Sequence, residues 1–301
     1  MTTAGTPALL AAALFSFHSN PWLNMHHFVR AVARGEPLPV EMAADEKPAW
    51  DAAVALYRER YARRDLLFDE GMAAIKDALR KAGQRETLAG LGLDPALAAA
   101  LERAAPVYRR HFWPKHDASN RAWIAAVEPQ LRAHGAVLAR KVAAAYGQAW
   151  PSQPMDVDVS VQAGPFGAYT TSGPPTHIVI SSVDPAYRIA ALEMLFHEAS
   201  HAWDVVVEKG IARAAAAQGR RAPPQLWHAI LFFTAGELTR REMELFGDED
   251  YVEHALRSGV YTRACGDCRA LLAKHWGPRL DGRATIDEAL AALVAAVAPS
   301  P

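Results

Sequence analysis

Two cysteines are all that the 301 residues contain, which excludes a small disulfide-stapled scaffold. They form a single C-G-D-C run, Cys265 and Cys268. Without a second pair, that run gives little support to a metal or redox centre, and His275 has no further ligands beside it. A local disulfide and two reduced thiols at a helix start are the readings left open. An excess of charge is missing too: 32 Lys and Arg stand against 33 Asp and Glu, a net charge of −1, with no basic tract. Nothing electrostatic therefore suggests nucleic acid as a partner. No run reaches the roughly 18 apolar residues of a membrane-spanning helix, so no integral membrane segment is expected. Ala8–Phe15 has signal-peptide length but no basic n-region and no A-x-A cleavage site, which leaves cytoplasmic and exported locations both open. No period repeats well enough for a solenoid.

What the chain does have is apolar bulk. It is 51% hydrophobic and long enough for one large domain or two lobes. Residues 1–150 read as helical, with alanine-rich segments at Trp50–Ala62, Leu67–Lys81, Pro95–Arg103 and Asn120–Tyr146. The W-P-S-Q-P run at Trp150–Pro154 is the best boundary with a second region, 151–301, although both halves could share one core. Asp156–Gln162 alternates apolar and polar residues, and Thr176–Ser182 is rich in β-branched ones. With Gly164, Pro165, Gly167, Gly173, Pro174 and Pro175 as punctuation, they predict a small, mostly antiparallel sheet. Phe17–Phe28 gathers His18, His26 and His27 with Asn20 and Asn24 among aromatics. It reads as a helix start with Asn20 as N-cap and Pro21 at the first position, or as a set of histidines brought into a site.

The densest chemistry lies at His197-Glu198-Ala199-Ser200-His201, an H-E-x-x-H sequence. The surrounding Ala190–Glu208 contains no Gly or Pro and is predicted to be one continuous helix. At about 100° per residue, Glu193, His197, His201, Asp204 and Glu208 share a narrow stripe. Leu192, Leu195, Phe196, Ala199, Trp203 and Val206 fill the opposite side. An exposed face would mix in Lys or Arg, and none occurs between Ala190 and Val207. Two imidazoles one turn apart can reach one metal ion, and the glutamate between them stands where a carboxylate can take a proton from water.

A catalytic zinc commonly takes three protein ligands. Downstream candidates are Asp204, Glu208, His228, Glu237, Glu242, Glu244 and His254. Asp204 is too near along the same helix and fits better as an acceptor that orients a ligand imidazole. The apolar segment Leu226–Leu238, preceded by Pro223 and Pro224, is the next strong helix. It carries both His228 and Glu237, nine positions apart and on opposite faces unless Gly236 breaks the helix.

The motif resembles the zincin metallopeptidases. Asp204 and Val207 stand where the metzincin subgroup would have its glycine and third histidine, so the remaining resemblance is to gluzincin-like enzymes. That resemblance implies a mainly helical α+β fold with a zincin-like catalytic region beside a small sheet. It implies Zn²⁺ as cofactor, held by His197, His201 and Glu237, with His228 as the alternative third ligand. It further implies Glu198 as general base, a downstream oxyanion donor and a peptide or protein substrate. Tyr261 is the first choice for that donor, with Tyr251 and His254 in competition. Two other readings remain: a zincin fold that has lost activity and serves as a metal-dependent binding or sensor protein, and a metal-free helical interaction protein. The intact Glu198 argues against the first, because a pure binding site has no use for the base.

Overall fold

A computed structural model describes residues 14–38, 40–171, 176–266 and 268–297. Most of the Ala8–Phe15 run, Gly173 to Pro175 and the Asp267 of the C-G-D-C run lie outside the described residues. The fold is mainly helical with one small sheet, the α+β class expected. Its strands are β1 (Phe15–His18), β2 (Met155–Ser160), β3 (Ala168–Thr171) and β4 (His177–Ser181), in the order β1-β2-β4-β3.

The pairing differs from the mostly antiparallel sheet expected. β1 runs parallel to β2, β2 runs parallel to β4, and only β3 pairs antiparallel with β4. The reason is topological. The partner of β2 comes from the other end of the chain, and a helical region far longer than a hairpin joins them. Alternation then sends Val157, Val159, Ile178 and Ile180 to one face and Val179 and Tyr169 to the other, where two different hydrophobic clusters receive them. A sheet covered on both faces suits parallel pairing.

One cover consists of α1 (Pro21–Ala33), α2 (Lys47–Arg60), α3 (Glu70–Ala82) and α4 (Pro95–His111). Asn20 caps α1 by accepting from the Trp22 and Leu23 N–H groups, with Pro21 as the first helical residue. The histidines of this segment stay away from any metal cluster. His26 Nδ1 meets the Tyr57 hydroxyl at 2.7 Å, His27 Nε2 meets that of Tyr169 at 2.8 Å, and His18 faces Asp156.

The other cover takes α5 (Trp113–Gln130) and α6 (Ala136–Ala145), joined by a π turn at Leu131–Gly135 after Pro129. To these it adds α7 (Pro185–Ile189), α8 (Ala191–Ser200), α9 (Asp204–Ala217) and α10 (Leu226–Leu245). The short α11 (His254–Arg257), α12 (Val260–Cys265), α13 (Arg269–His275) and α14 (Gly277–Leu280) lead to α15 (Ile286–Ala296). Cys265 and Cys268 are joined as a disulfide between α12 and α13. No helix among the described residues is long and apolar enough to cross a membrane.

Where the layers meet, polar groups are tied by side-chain amides. Asn120 is fully buried; it donates to Asn24 Oδ1 and Ser19 Oγ and accepts from Ser182 Oγ at 2.7 Å. Asn24 in turn donates to the Val159 carbonyl of β2. Removing Asn120 takes one hydrogen bond each from Asn24, Ser19 and Ser182, leaving Asn24 Oδ1 with the Val161 N–H and Ser182 Oγ with Ser119 Oγ. Asn120→Ala is expected to lose about 2–4 kcal/mol of stability, whereas Arg121→Ala, one position on and exposed, changes it by less than about 0.5 kcal/mol. Urea midpoints of the two variants measure the difference; equal midpoints would remove the amide cluster from the account of the fold.

Candidate metal centre

Helix α8 is buried over all ten residues, so each of its polar side chains needs a partner inside the protein. It does not run on to Glu208 as expected. After Ser200 the chain makes a 3₁₀ turn, His201–Trp203, and α9 starts at Asp204. Ser200 Oγ donates back to the Phe196 carbonyl at 2.7 Å, a bond that competes with the helix ladder and bends helices. His197 and His201 still face each other, their ring centroids 5.2 Å apart.

The third member comes from α10, which packs against α8. The His228 ring lies 5.2 Å from that of His197 and 5.4 Å from that of His201. One nitrogen from each ring falls within 4.8 Å of the others. This is the one such group of His, Cys, Asp and Glu side chains among the described residues. Burial holds the His197 imidazole well below its ordinary pKa and lowers His228 to about 3. Both are therefore neutral, with the lone pair that a metal requires. Three imidazoles, from α8, from the turn that follows it and from α10, form a donor set of the kind that divalent transition metals take.

Glu237, the first choice for third ligand, is not in this group. The α10 helix continues unbroken past Gly236, so Glu237 points elsewhere, and it is held by Arg240, Arg241 and Arg269. Guanidinium partners at i+3 and i+4 hold its pKa down against the upward push of burial. His228, the alternative, is the residue that stands in the group. Gly236 serves close approach rather than helix breaking: a Cβ there would stand 3.0 Å from Glu193 Oε1 and 3.1 Å from Glu253 Cγ.

Glu198 sits between the two motif histidines in sequence and is 4% exposed. Its Oε2 accepts from Thr170 Oγ1 at 2.7 Å. Thr170 belongs to β3, the strand at the end of the sheet, a contact the motif alone does not disclose. Burial pushes the Glu198 carboxyl up, opposed by His201, Thr170 and Lys76. Asp204 Oδ2 stands 3.9 Å from His201 Nδ1.

The expected oxyanion donors separate cleanly. Tyr261 donates to Glu253 Oε2 at 2.9 Å and is buried there; Tyr251 donates to Glu193 Oε2 at 2.7 Å. Both hydroxyls are engaged with buried carboxylates, and the structure puts that of Tyr261 on Glu253. His254 differs. Its backbone N–H donates to Glu193, while its ring lies 6.0 Å from Phe232, which stacks on His197 at 3.6 Å. Trp227 borders the same triangle, stacked on His228 and edge-on to His201.

No family model, no curated protein and no solved structure matches the chain.

Behind the histidines, Glu193 is completely buried near Glu253, and burial, the larger cause, raises its pKa to about 7. A carboxyl raised from 4.5 contributes stability that is fully present below about pH 4.5 and is lost as pH rises through about 7. Glu193→Gln lacks that loss. Between pH 5 and pH 8, wild type is expected to lose up to about 3 kcal/mol relative to the variant. Urea unfolding at the two pH values checks this, and a difference that does not move with pH would contradict it.

Proposed function

We propose that the chain is a zinc-dependent peptidase whose metal ligands are His197, His201 and His228. The observation that carries this reading is the convergence of a third, half-buried and neutral imidazole on an H-E-x-x-H pair. Zn²⁺, when bound, supplies Lewis acidity toward a carbonyl oxygen and acidifies water. The protein's own groups do the rest. Glu198 accepts a proton from water and returns it to the leaving amine, and the Thr170 hydroxyl fixes the carboxylate that does so. Burial makes that carboxylate a stronger base than an exposed one. His254 is the donor offered to a developing oxyanion, since Tyr251 and Tyr261 are engaged elsewhere. The end strand β3 lies alongside Glu198, in keeping with an extended peptide binding there.

Metal analysis and a peptide assay test the reading together. About one zinc per chain is expected in wild type and in Glu237→Gln, and none in His201→Ala or His228→Ala. Glu198→Gln is expected to keep its zinc and lose at least about a hundredfold in hydrolysis of an unstructured protein such as casein. A wild type that stays free of zinc after dialysis against it would end the metal reading. Zinc without any difference between wild type and Glu198→Gln would leave a metal-binding protein with no peptidase activity.

A further inference from the structure

On the opposite side of the sheet, the end of α1 borders a cavity of about 160 Å³ lined by His27, Arg30, Arg34, Glu36, Gln162 and Gly164 among others. That volume equals roughly five waters. Its wall carries cations that no carboxylate contacts among the described residues. Arg30 is only 6% exposed, yet among the described residues neither it nor Arg34 has a carboxylate within ion-pair distance. Each spends one nitrogen on a backbone carbonyl: Arg30 Nη2 donates to Arg64 and Arg34 Nη1 to Ala62. Asp65 acts on Arg30 only from beyond contact, its carboxylate held by the Leu67 and Phe68 N–H groups. Among the described residues Glu36 is the only acid in the wall.

Two further atoms are left over. Arg30 Nε and His27 Nδ1 are buried and make no hydrogen bond. When the Tyr169 hydroxyl donates to His27 Nε2, Nδ1 carries the ring proton and is a donor. A buried guanidinium with no carboxylate in contact is costly unless an anion occupies that place. We propose that this cavity is a binding site for a phosphate group, held by Arg30 and Arg34 with His27 as an added donor. Two guanidinium groups with no carboxylate in contact favour a dianion, and their fork geometry suits phosphate oxygens.

A second, wider hollow adjoins it and shares Arg34; Arg58, Glu59 and Arg63 line its walls. It offers room for the remainder of a phosphomonoester whose phosphate occupies the inner cavity. The site is separate from the histidine triangle. Tyr169, which touches His27, and Thr170, which touches Glu198, are consecutive residues of β3 and so face opposite sides of the sheet.

Calorimetric titration of the full chain at constant ionic strength tests the proposal, with inorganic phosphate and with glycerol 3-phosphate as probes. The expected result is one saturable phosphate per chain, weakened at least tenfold in Arg30→Met and in Arg34→Glu and unchanged in His201→Ala. Tighter binding of glycerol 3-phosphate identifies a phosphomonoester as the ligand, and tighter binding of inorganic phosphate identifies the free ion. Arg34 is exposed, so Arg34→Glu decides the matter if Arg30→Met does not fold. No saturable binding of either probe would overturn the proposal. So would binding that survives Arg34→Glu, or binding that is lost in His201→Ala.

Discussion

The burial of α8 is the constraint on which the rest of the structure depends. A helix with every residue inside the protein, carrying Glu193, His197, Glu198 and Ser200, is stable only if the surroundings answer each polar group. They do so from separate parts of the chain. β3 sends Thr170 to Glu198; the segment entering α11 sends the His254 N–H and Tyr251 to Glu193. Ser200 turns back on its own helix and ends it. The rings of His197 and His201 pack against each other and against His228.

Helix α10 does two jobs because nine residues turn it by half a circle relative to a whole number of turns. At its start, His228 and Phe232 press against the motif histidines. Further along, Glu237 balances guanidinium groups from α10 itself and from α13. Gly236 lets two glutamates from elsewhere come close to the helix between these ends. Charges that could compete for the histidine cluster are thereby kept in a network of their own, since a carboxylate holding several guanidinium groups has little reason to leave them.

The sheet divides two chemistries as well as two cores. Apolar residues of β2 and β4 face the α8 side, while Asp158 and His177 pair on the other at 2.8 Å. Lys76 belongs to that second face: burial lowers its pKa to about 7, and it donates to Thr171 on β3. β3 is thus touched from both sides by ionisable groups, Lys76 and His27 on one and Glu198 on the other.

Much of this was legible in local pattern. The motif helix, the helix from Leu226, the Asn20–Pro21 start and the helical N-terminal half follow from periodicity and capping chemistry, which act over a few residues. Spacing alone placed His197, Glu198 and His201 together, because helix geometry relates i to i+4 without help from the rest of the fold. What the tertiary structure decided are the relations between distant segments. β1 pairs with β2 across most of a helical half, which no local signal encodes. The choice of His228 over Glu237 rests on how α10 is rotated against α8, and both residues look equally suitable along the chain. Tyr261 went to Glu253 rather than to the histidines for the same reason: residue type and spacing fix what a side chain can do, but only packing fixes what it faces.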